Sequence, residues 1–162
     1  MPTKMIEDGF THAGQIKSEF LNYNPFLCCE LIAAYNALIY FGADRPTRSE
    51  LNPLIKKYKC RYGSVIGIEE MWYDLGLEIY RCDFTLEGIA ANLPVGILVE
   101  SKKLGRHKAL IVGIKDKNLY IPNMGGPIVW PWNKIKKMGH RWQKGQAWVY
   151  DLQDEEDHEF ES

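Results

Sequence analysis

A chain of 162 residues, 46% hydrophobic and with a formal net charge of −1, holds enough apolar material for one sizeable core, and no linker-like stretch divides it. Its N-terminus (MPTKMIEDGF) lacks an apolar run before a cleavage site, no apolar stretch is long enough to cross a bilayer, and its cysteines, Cys28, Cys29, Cys60 and Cys82, lack the dense pattern of a secreted disulfide scaffold. These features argue against membrane and secreted classes and set the expectation of a cytoplasmic protein with reduced thiols.

The elements follow in chain order. A short helix is expected around His12 to Leu21, closed by the Asn24-Pro25 turn. From Leu27 the apolar residues Leu31, Ile32, Tyr35, Leu38 and Ile39 recur at spacings of three and four, with small Ala33, Ala34 and Ala37 between them. This predicts a central, buried helix that Gly42 caps. Further helices are expected at Ser49 to Lys59, Ile68 to Leu75 and Leu86 to Asn92, with a strand at Leu77 to Arg81. After Val95 the period shifts toward two, and strands are expected at Gly96 to Glu100, His107 to Ile114, Asn118 to Ile121, Ile128 to Trp130 and Gln146 to Tyr150. A helical turn at Asn133 to Met138 interrupts them. Helices first and an antiparallel sheet second make an α+β fold in a single domain spanning residues 1–150.

Residues 151–162 carry seven acids and no Lys or Arg, and are expected to be a solvated, disordered tail. The body they leave behind has a formal charge of +6. Eleven of its basic residues fall between Lys102 and Lys144, but they interleave with strand patterns and match no nucleic-acid motif, so a nucleic-acid partner is not expected. No phosphate-cradling glycine loop and no close metal-ligand spacing is present, and no cofactor or metal is expected.

The chemistry-bearing residues are a thiol, an imidazole and an amide. Cys28 and Cys29 open the central helix, where the helix N-terminus favours the thiolate. They lie about 100° apart around the helix, so one can face a cleft while the other packs in the core. Cys29, aligned with Ala33, Asn36 and Tyr40, is the favoured nucleophile, and Cys28 the alternative. His107 stands at the mouth of an apolar strand, and Asn123 follows a strand, turn and strand that return the chain toward it. Its carboxamide is therefore expected to orient the imidazole. Glu30 completes the first turn; leaning toward the thiol, it would raise the thiol's pKa and blunt the nucleophile.

These residues carry a resemblance. The stretch from Cys29 to Gly42 resembles the nucleophile helix of papain-like cysteine peptidases, especially the domains that trim double-glycine leaders in bacteriocin-processing transporters. The likeness continues through Gly63-Ser64, Gly67-Ile68, Gly76-Leu77 and residues 93–99. It extends to the histidine strand over 105–114, residues 120–125, and a closing strand at 142–149. Glu30-Leu31 stands where those domains have Gly-Pro, Asn123 where the leader peptidases have aspartate, and no glutamine sits six residues before the cysteine. The resemblance implies a papain-like fold and a Cys29, His107, Asn123 triad acting on a peptide or protein substrate, with Asn22 or Asn24 supplying the oxyanion amide. The same groups would serve an acyltransferase or deamidase, and the departures leave room for a peptide-binding module that no longer cuts. Oligomeric state is not legible in the residues.

Overall fold

The computed structural model describes residues 25–58, 65–102, 105–139 and 141–153; the expected helix over His12 to Leu21 and the chain beyond Gln153 lie outside them. Helix α1 (Pro25–Tyr40) begins two residues before the apolar period does. Proline explains the shift, since its fixed φ and missing N–H suit the first helical position. The helix closes on Gly42 at φ +69°, with the Gly42 N–H on the Ile39 carbonyl (3.0 Å) and the Ala43 N–H on Leu38 (2.9 Å). That pair of bonds is a Schellman cap, and it needs a left-handed residue that glycine supplies without strain. Every residue from Leu31 to Leu38 is buried, as an all-round apolar helix requires.

Helix α2 (Arg48–Lys57) starts in a capping box, Thr47 accepting from the Glu50 N–H while Glu50 accepts from the Thr47 N–H. Helix α3 (Val65–Asp74) leads through Gly76 into strand β1 (Leu77–Asp83), and Thr85 caps α4 (Leu86–Asn92). Strands β2 (Val95–Ser101), β3 (Gly105–Ile111) and, at the end of the described chain, β7 (Gln146–Leu152) complete an antiparallel sheet in the order β1-β7-β2-β3. Strand β7 runs past Tyr150 into the segment expected as tail, because Glu78 and Leu77 pair with Asp151 and Leu152 and the Gln153 N–H reaches the Gly76 carbonyl.

The strand expected from His107 to Ile114 is instead divided at Val112. The last pair between β2 and β3 joins Val95 to Ile111, so beyond it the backbone must find another partner. The Val112 N–H turns to the Tyr120 carbonyl, and β4 (Gly113–Lys115), β5 (Asn118–Tyr120) and β6 (Val129–Pro131) form a second, three-stranded sheet. Asp116 and Lys117, both at positive φ, make the two-residue turn between β4 and β5. Helix α5 (Trp132–Met138) then packs its buried Ile135 near β2.

The four-stranded sheet separates two apolar clusters. Leu110, Trp148 and Tyr150 join α1 and α3 on one face, while Val95, Ile97, Val99, Ala109 and Ile111 join Ile89 and Ile135 on the other. Helices over a mainly C-terminal antiparallel sheet confirm the α+β arrangement. No helix among the described residues is long and apolar enough to cross a membrane.

Candidate active site

The site forms where the start of α1 meets β3, the outermost strand of its sheet. Alternation along β3 sends odd residues toward one face and even residues toward the other. His107 is paired with Val99, on the side of the Val99, Ala109 and Ile111 cluster, whereas Lys108 is paired with Leu98, on the face that α1 covers. Lys108 is thus the β3 side chain turned toward the helix that carries the thiol.

Cys29 is half-buried, and Cys82 is likewise a thiol outside any disulfide. The start of α1 at Pro25 puts Cys29 in the second helical turn, past the exposed N–H groups of the first, where the dipole's benefit has largely faded. Burial is the main cause and the adjacent Glu30 carboxylate the second in raising its pKa to about 11. The N–H groups of Lys108 and Glu30, which favour the thiolate, only partly offset them. The lowered thiol pKa expected from a helix N-terminus is therefore not what the fold supplies.

His107 is buried, at 9% exposure, and its Nε2 meets the main-chain carbonyl of Asn123 at 2.5 Å. Desolvation lowers its pKa, opposed by that carbonyl and by Glu30. A carbonyl can only accept, so Nε2 carries the proton and the lone pair of the neutral ring lies on Nδ1. Asn123 does orient the histidine, but through its backbone. Its fully buried side chain is used elsewhere: Oδ1 accepts from the Leu110 N–H (2.9 Å) and Nδ2 donates to the Lys108 carbonyl (3.0 Å). The carboxamide thereby acts as a short extra rung on the open edge of β3, just before Val112 passes to β5.

Lys108 is a site residue that the sequence reading did not single out. It is 3% exposed, its Nζ lies 3.9 Å from Glu30 Oε2, and it sits 3.4 Å from the centre of the Trp148 ring. Burial holds its pKa down to about 8 against the pull of Glu30, which leaves it mostly protonated at neutral pH. Gly96 makes room for the stem, since a β-carbon there would come within 2.8 Å of Lys108 Cε and of the Tyr150 ring. The available signal was a single charge inside the apolar run from His107 to Val112, at a position whose alternation demands burial.

Cys29 and His107 both adjoin the start of β3, but on opposite faces of the sheet, the thiol on the face that α1 covers and the imidazole on the Val99 and Ala109 side. The thiol meets the Lys108 N–H and the imidazole belongs to the preceding residue. Asn22, Asn24 and His140 fall outside the described residues, as does the side chain of Cys28. Among the described residues no group of three or more His, Cys, Asp or Glu is placed to hold a metal ion.

No family profile matches the chain, and no curated protein matches it in sequence. Solved structures do. The peptidase domain of Streptococcus ComA, a bifunctional ABC transporter involved in quorum sensing, superposes with a TM-score of 0.57 at 18% identity, over 77% of this chain and 91% of that one. A double-glycine-motif protease from an AMS/PCAT transporter, solved with its leader peptide, gives 0.54 at 15% identity, over 77% and 84%. The fold is that of the papain-like peptidase domains.

Proposed function

We propose that the chain is a cysteine hydrolase that cleaves a peptide bond, with Cys29 as nucleophile and His107 as general base. One observation carries this reading: the Asn123 carbonyl fixes the His107 tautomer with its basic lone pair on Nδ1, one residue along β3 from the amide that meets the thiol. In the reaction Sγ attacks the peptide carbonyl as Nδ1 takes the thiol proton, and the imidazolium returns that proton to the departing amine. Water then releases the acyl group by the reverse sequence, with His107 again as base. Burial and Glu30 raise the Cys29 pKa to about 11, so the thiol begins the cycle protonated and the reaction depends on His107 to take its proton. Asn22 or Asn24 is the proposed source of the oxyanion amide, worth about 3 kcal/mol in the transition state. A peptide is the proposed substrate, in keeping with the leader peptide held by the second structural neighbour.

The test is turnover of quenched fluorescent peptides, double-glycine sequences among them. Cleavage that is lost in both Cys29→Ala and His107→Ala supports the reading, and cleavage that survives Cys29→Ala overturns it.

A non-catalytic peptide-binding module is the second reading. The position of Cys29 in the second helical turn and the upward push from Glu30 favour it. Tight binding of a peptide that is recovered intact, with Cys29 alkylated no faster than Cys82, would select it.

A further inference from the structure

A row of charged and aromatic groups crosses the helix-covered face of the four-stranded sheet and ends at the thiol. Glu69 of α3 pairs with Arg81 of β1 at 2.8 Å, and the Arg81 guanidinium lies 5.0 Å from the Trp148 ring of β7. Lys108 of β3 reaches the same ring by crossing β2 at Gly96, and Glu30 of α1 receives its ammonium. Trp148 thus has two cations about it, and the cation nearer the thiol is the buried one.

Such an arrangement is costly unless charge is balanced. A buried ammonium is costly to desolvate, and a counter-ion and a ring face each offset part of that cost. Glu30 supplies the counter-ion, yet it also adjoins Cys29, where a carboxylate disfavours the thiolate. Lys108 acts on the same sulfur with the opposite sign. The thiol therefore sits beside a dipole made by two side chains, and removing either end must move it in a different direction.

We propose that Lys108 and Glu30 form an opposed charge pair that biases, in opposite directions, how readily the buried Cys29 thiol ionises, with Lys108 as a positioning residue held in place by Trp148 and the gap at Gly96. This rests on the hydrolase reading only in naming Cys29 as the nucleophile. The groups that face the Lys108 ammonium are Glu30 and Cys29 from α1, Glu69 from α3, Arg81 from β1, and Trp148 and Tyr150 from β7. Glu30 is the only one of them in direct ion-pair contact with it among the described residues.

The experiment follows alkylation of Cys29 by iodoacetamide against pH in the full chain, read site by site by mass spectrometry, with Cys82 as internal reference. Glu30→Gln removes the carboxylate and should speed alkylation of Cys29 at pH 8 by roughly tenfold, the effect of one pH unit in the thiol midpoint. Lys108→Met keeps the aliphatic stem over Gly96 and should slow it by a similar factor. A merely structural role would loosen the fold in both variants, expose the sulfur and speed both. Opposite directions support the proposal; equal directions, or changes within twofold in both, overturn it. Should Lys108→Met fail to fold, the pH profile of Glu30→Gln decides: a lower Cys29 midpoint supports the pair and an unchanged midpoint refutes it. Peptide cleavage is not read here, so a chain that cleaves nothing but shows the opposed shifts would sink the hydrolase reading and leave this one standing.

Discussion

Replacing Asn123 by alanine separates two roles for that residue. A carboxamide that orients the imidazole would, when removed, lower activity and leave the fold alone. The structure assigns it to the backbone of β3, where it satisfies the Leu110 N–H and the Lys108 carbonyl in a fully buried setting. Truncation leaves both groups without partners, and each orphaned polar group costs about 1–3 kcal/mol. The expected loss is about 3 kcal/mol, and more if the edge of β3 frays and exposes its apolar face. For a chain of this size that corresponds to a fall of about 6–12 °C in Tm. Urea denaturation followed by tryptophan fluorescence measures it, with an unchanged m-value showing that the native state stays compact. Because the main-chain carbonyl of Asn123 survives the substitution, His107 keeps its partner and residual activity should outlast the loss of stability at low temperature. A change below about 1 kcal/mol, or an inactive variant of wild-type stability, would refute this account of the residue.

Gly96→Ala puts a methyl group within 2.8 Å of both Lys108 Cε and the Tyr150 ring, and should cost about 1–3 kcal/mol in the same urea assay. Thr47→Ala removes the side-chain half of the α2 capping box and should cost about 1 kcal/mol. Burial holds the His107 pKa below the usual 6.5, so below pH 6.5 the unfolded chain binds a proton that the folded one resists. Stability should accordingly fall as pH drops from 6.5 toward 5, more steeply than in His107→Gln, and parallel pH dependences would contradict it. Alkylation of Cys29 in the wild-type chain should climb about tenfold per pH unit from 7 to 10, in line with a thiol pKa near 11. A plateau reached below pH 9 would show that the thiolate forms far more readily than its surroundings allow.

The charges around the thiol illustrate how the fold bears on function. A helix dipole acts strongly only over its first turn, and Pro25 starts α1 early enough to move Cys29 beyond that reach. Glu30 then adds repulsion. Lys108, brought in by a strand nearly eighty positions downstream, provides the opposing charge that the helix end does not.

The sequence by itself determined the order and kind of the elements. Apolar period, glycine stops and cap residues are local properties, so α1, α4, the Asp116-Lys117 hairpin and the α+β arrangement were all legible in it. It also made Cys29, His107 and Asn123 candidates, whose types and order are uncommon enough to notice. Only the tertiary structure decided which face of β3 looks at α1, that His107 leans on a backbone carbonyl instead of a carboxamide, and that the strand breaks at Val112 because β2 has no residue left to pair there. The same holds for Lys108. A charge in an apolar strand reads as an anomaly until Glu30, Gly96 and Trp148 are brought around it, and those partners sit on three separate elements whose meeting no local pattern encodes.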